Sequence, residues 1–147
     1  MTRFVFLSLL LVGCDTSSSS DKPATTAAAK KPLFERLGGK PAITAVVDSF
    51  VGRVAADKKI NARFANTDIP HLKAMLVEQI CEATGGPIKY TGKDMRTSHT
   101  GMGITEDEFN ALVGDLKGAL DQFKVPAPEQ GELLGALGGM KGDIVGH

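Results

Sequence analysis

Tyr90-Thr91-Gly92-Lys93-Asp94-Met95-Arg96-Thr97-Ser98-His99-Thr100-Gly101-Met102 is the stretch on which the reading of this chain turns. It holds one of only three histidines, set between two methionines and broken by glycines. The segment is too short and too polar for a full-length helix, yet its neighbours on both sides carry helical periodicity. A loop-like wall bearing His99 therefore faces the helices. A lone histidine in such a place fits a structural, a solvated or a metal-ligating role, so the surrounding helices have to decide among them.

Upstream, Asp68 is an N-cap candidate with Pro70 in the first turn, opening a helix over Ile69–Ala83. An advance of roughly 100° per residue puts Leu72, Leu76, Gln79 and Ala83 on one stripe, with Met75 at its edge. Gln79 is the single polar residue there. His71, one position before Leu72, points off the stripe and reads as solvated. Downstream, Thr105-Glu106-Asp107-Glu108 has capping-box spacing and opens a long helix striped by Phe109, Leu112, Val113, Leu116, Leu120 and Phe123. After Val125-Pro126-Ala127-Pro128, a final helix turns Leu133, Leu137, Met140 and Ile144 inward.

Earlier in the chain, Leu33–Leu37 forms a helical turn ended by Gly38-Gly39. A long helix follows with Pro41 in its first turn and Ile43, Val46, Val47, Phe50, Val51 and Val54 on a wide apolar face. Ile60 and Phe64 mark a brief helix before Asn66-Thr67-Asp68, and no segment alternates convincingly as a strand. With no tryptophan and few aromatics, the core rests on aliphatic side chains, as suits packed helices. The 17 basic and 17 acidic residues balance, which leaves no electrostatic footprint for nucleic acid. The length suits one compact domain.

Residues 1–13 read as a secretory signal: Arg3 precedes an apolar run, Phe4 to Val12, too short to span a bilayer. Leu11-Val12-Gly13-Cys14 resembles the lipobox of bacterial lipoproteins, which implies export, acylation of Cys14 and a lipid anchor to a bacterial membrane at its periplasmic or extracytoplasmic face. Residues 14–32, rich in serine, threonine, alanine and lysine, make a flexible tether, and the folded domain is expected over 33–147. Cys81 has no disulfide partner once Cys14 is lipidated and reads as a small buried side chain.

Leu33-Phe34-Glu35-Arg36-Leu37-Gly38-Gly39, Phe50, Phe64, Gly85-Gly86-Pro87, Tyr90-Thr91-Gly92, Met95, His99, Gly103-Ile104-Thr105 and Phe109, in that register, resemble the truncated globins of group one. The resemblance runs from Leu33 to about Val145. It implies an all-α, globin-like, two-over-two helical sandwich around one haem b. His99 matches the proximal iron ligand, with its second ring nitrogen bonded to a carbonyl about one turn back. Phe64 matches the phenylalanine that packs on the porphyrin, and Lys93 and Arg96 become candidates for its propionates.

The distal positions depart from the family pattern. Val51 and Leu76 stand where oxygen-retaining members carry tyrosine and glutamine, and Leu72 stands at the gate. Gln79 is the one amide left to donate a hydrogen bond. Met75 falls where some members place a second iron ligand, so a His/Met-ligated electron-transfer protein is one alternative. The leading expectation is a membrane-tethered haem protein that reversibly binds oxygen or nitric oxide. A redox enzyme such as a nitric oxide dioxygenase, served by an external reductase, and a lipoprotein interaction module that has lost haem are the others.

Overall fold

The computed structural model describes residues 30–147. The signal, Cys14 and most of the tether lie outside the described residues. Six α-helices follow in order: α1 (Leu33–Arg36), α2 (Gly39–Ala56), α3 (Ile69–Ala83), α4 (Met95–His99), α5 (Glu106–Gln122) and α6 (Ala127–Gly138). Short 3-10 turns cover Asn61–Phe64 and Lys141–Asp143. Among the described residues there is no strand, only one isolated parallel bridge between Ile104 and Val145.

The boundaries follow from local chemistry. Asp68 caps α3 by accepting the His71 N–H at 3.1 Å. Thr105 and Glu108 form the reciprocal capping box of α5, the Thr105 side chain taking the Glu108 N–H at 3.2 Å and the Glu108 carboxylate taking the Thr105 N–H at 2.9 Å. Gly38 and Gly39, at φ 95° and 71°, let α1 turn directly into α2. Gly86 is fixed by closeness: a Cβ there would sit 2.6 Å from the Phe34 ring and 2.8 Å from the Cys81 carbonyl. Packing α1 against the end of α3 requires that gap.

The core lies where α2 packs on α3 and α5. Val47, Cys81, Leu120 and Leu133 are almost wholly enclosed, and each buried aliphatic side chain of this size contributes about 1.5–3 kcal/mol. All six apolar α2 residues expected on the inward face are buried. The α5 stripe runs one residue shorter than the spacing predicts. The helix stops at Gln122, Val125 N–H returns to the Leu120 carbonyl at 3.0 Å, and Lys124 adopts φ 53° in that reversal. Phe123 thus becomes the cap and is 44% exposed. Met140 and Ile144 do turn inward, but from beyond the end of α6, just before and just after the 3-10 turn.

Candidate functional site

Helix α3 has two working faces. Val77, Ile80 and Cys81 pack into the core, while Leu72, Met75, Leu76 and Gln79 border a cleft. The opposite wall is the segment from Tyr90 to Met102 with the Phe109–Leu116 part of α5. Phe50 and Val51 of α2 close the inner side, and Phe64 and Arg63 border it from the 3-10 turn. The enclosed volume is about 650 Å³, within the range of cofactor-sized sites, and its lining is mainly apolar with a few polar groups.

The wall bearing His99 is organised by side-chain-to-backbone bonds. Glu78 and Glu82, one turn apart on α3, take the Thr91 N–H and the Tyr90 N–H, each at 2.9 Å. The Thr91 hydroxyl, which also donates to Glu78 at 2.7 Å, together with the Thr91 N–H holds the Glu78 carboxyl below the usual range, and the Tyr90 N–H does the same for Glu82. The Tyr90 hydroxyl donates to the Lys93 carbonyl at 2.9 Å. Asp94 caps α4 through the Thr97 N–H at 2.8 Å and its hydroxyl at 2.6 Å, which depresses the Asp94 carboxyl. Five residues cannot sustain a helix by themselves, so α4 exists because its cap and neighbours hold it.

On this frame His99 Nδ1 lies 2.7 Å from the Met95 carbonyl oxygen, one helical turn back. A carbonyl only accepts, so Nδ1 carries the proton and donates. In the neutral ring Nε2 then keeps its lone pair, the state a metal ligand requires. Among the described residues no three His, Cys, Asp or Glu side chains converge. A metal at His99 would take its remaining ligands from outside these side chains, from a cofactor or from water.

The other expected site residues divide. Val51, Phe64, Leu72, Met75, Leu76, Gln79, Lys93 and Met95 all border the same cleft as His99. Arg96 does not; it is exposed and pairs with Asp143 at 3.4 Å. Gln79 reaches inward, but its Nε2 is committed to two sulfurs, Met95 Sδ at 3.2 Å and Met140 Sδ at 3.3 Å. His71 is exposed, as its helical phase implies, and borders the rim of the cleft. Met140, read as inward from its spacing, lines it too; unforeseen from sequence are Arg63 and Met102. Their positions depend on pairings distant along the chain, for which local periodicity carries no signal.

The bacterial-like globin family matches residues 32–145. A group 1 truncated hemoglobin of Mycolicibacterium paratuberculosis is 38% identical over 112 residues, spanning 76% of this chain and 82% of that protein. One from Tetrahymena thermophila is 31% identical, spanning 80% and 98%. The Fe(III) crystal structure of truncated hemoglobin from Tetrahymena pyriformis superposes with a TM-score of 0.77 at 29% identity, covering 80% of this chain and all of that one.

Haem is the cofactor of this family, and the cleft fits it. The volume suffices, the lining is mainly apolar, and His99 is held in the ligating tautomer. With its fold, its cleft and these likenesses in agreement, the chain belongs to the bacterial-like globin family and is a truncated haemoglobin.

Proposed function

We propose that the protein reversibly binds a diatomic gas, oxygen or nitric oxide, on haem b held by His99, and that Cys14 tethers it to a bacterial membrane at its periplasmic or extracytoplasmic face. The observation that carries the reading is the His99 Nδ1–H bond to Met95 at the wall of a cofactor-sized apolar cleft. The haem supplies the iron on which a gas binds. The protein supplies the rest. Nε2 of His99 would hold the iron, the Met95 carbonyl fixes the ring's rotation, and Phe64, at the cleft from the 3-10 turn, would pack on the porphyrin. Lys93, on the rim and without a carboxylate within 4 Å among the described residues, is the cation available to a propionate.

On the gas side Val51, Leu72 and Leu76 exclude water and offer no hydrogen-bond donor. Gln79, its amide engaged with two thioethers, does not supply one either. A ligand that gathers negative charge on binding, as oxygen does, gains nothing from such a wall, while nitric oxide and carbon monoxide lose little. The pocket thus favours nitric oxide over retained oxygen. Reduced, haem-loaded protein should bind each gas and release it on evacuation with its original spectrum restored, oxygen leaving fastest. Irreversible loss of the spectrum in the first cycle would refute reversible binding. The anchor has its own test: Cys14→Ser should move the protein from the membrane to the soluble fraction, and unchanged membrane association would remove it.

A further inference from the structure

Arg63 joins three parts of the molecule, and the binding scheme above makes no use of it. It lies in the 3-10 turn beside Phe64, on the border of the cleft. Its Nε donates to Glu108 Oε1 at 2.8 Å and its Nη2 to Glu108 Oε2 at 3.0 Å, a two-pronged guanidinium–carboxylate pair. Its remaining Nη1 donates to the Met102 carbonyl at 2.7 Å. Met102 in turn gives its N–H to the His99 carbonyl at 3.1 Å. A continuous path of bonds therefore runs from the first turn of α5, through Arg63, to the backbone of His99.

We propose that Arg63 is a positioning residue for the proximal histidine: with Glu108 it clamps the turn from His99 to Met102 and so sets how the imidazole meets an iron in the cleft. The proposal rests on the reading of His99 as the iron ligand. Three donors in one rigid plane satisfy three acceptors on two elements, a task lysine's single nitrogen cannot copy. Service to a haem propionate is the competing use of this cation, but its charge is already matched. Glu108 takes the Arg63 bonds and the Thr105 N–H together, and its carboxyl is lowered to about 2, so the pair stays charged throughout the ordinary pH range. The same segment is held from its other side, where the Gly103 N–H donates to the His147 carbonyl at 2.7 Å. Loss of Arg63 should therefore loosen the turn without unfolding it.

The test uses the full chain, loaded with haem and haem-free, as Arg63→Met, Arg63→Lys, Glu108→Gln and the Arg63→Met/Glu108→Gln double variant. Glu108→Gln keeps an acceptor for the Thr105 N–H while removing the charge, so it carries the test if Arg63→Met fails to fold. In the loaded ferrous protein, Arg63→Met and Glu108→Gln should each shift the iron–histidine stretching band with the Soret band retained. In the haem-free chain each should speed hydrogen exchange of the Met102 amide by about tenfold, the worth of one lost hydrogen bond. The double variant should add little to either, and Arg63→Lys should not restore the parent values. An unshifted band with faster haem loss would assign Arg63 to the cofactor's carboxylates and overturn the clamp, as would unshifted band and exchange together. Absence of any iron–histidine band in the parent protein would instead remove the ligand reading itself, and the clamp's purpose with it.

Discussion

On the α2–α3 side of the cleft, Val51, Leu72 and Leu76 are placed by long helices whose opposite faces are locked into the core through Val47, Ile80 and Cys81. On the facing side, His99 sits on a helix of five residues whose inward side chains are only half buried. There Asp94, Tyr90, Glu78, Glu82 and Arg63 fix the backbone by directed hydrogen bonds. The difference teaches how the labour is divided. Packing makes an apolar wall of tolerant geometry, while hydrogen bonds hold one imidazole at a defined rotation, as a metal ligand needs.

The contrast can be broken at either wall. The largest effect should come from the packed side: Ile80→Ala, at a position 3% exposed, should destabilise the whole domain by about 2–5 kcal/mol in denaturant titration, through lost transfer energy and the cavity left behind. Next is the chemistry of that wall. Val51→Tyr puts a hydroxyl into a donor-free pocket and should slow oxygen release by about tenfold, with a smaller change for carbon monoxide. Equal slowing of both gases, followed by flash photolysis, would point to a blocked exit instead.

On the hydrogen-bonded wall, Asp94→Ala removes the α4 cap and should loosen that turn with a smaller loss of stability than Ile80→Ala. Its mark should be local: faster exchange at Thr97 N–H and a perturbed His99 environment by NMR, with the core amides unchanged. The smallest effect concerns acid. Glu108 falls from an ordinary 4.5 to about 2 in the folded protein, chiefly through its bond with Arg63. Between those values the unfolded chain binds more protons than the folded one, so the stabilisation from this pair is complete above about pH 4.5 and lost as pH falls toward 2. Glu108→Gln should flatten the melting temperature against pH in that window and leave it unchanged in slope above it.

The frame was legible in the sequence because helix periodicity and caps are local. The bounds of α3, the capping box at Thr105 and the inward face of α2 follow from spacing alone. The pairing of His99 Nδ1 with a carbonyl one turn back was implied by the family resemblance rather than by spacing. What could not be read was contact between distant segments. Arg63 and Glu108 are 45 positions apart, and nothing in either neighbourhood signals their pairing. Gln79 shows the same limit from the other direction. Its helical phase correctly turned it inward, but its partners Met95 and Met140 come from two other elements, and they occupy the amide that seemed free for a bound gas. Arg96 shows it again, paired with Asp143 on the second 3-10 turn, 47 positions away.

The central claim is that His99 holds the iron of a bound haem. It is tested most directly by adding haem to the purified protein and to His99→Ala and recording ferric and ferrous absorption spectra. The account predicts a sharp Soret band with an iron–imidazole signature in the parent, and in His99→Ala a loss of haem affinity exceeding the roughly 10–100-fold typical of outer-sphere changes. No Soret band in the parent, or equal binding and the same spectrum in His99→Ala, would contradict it.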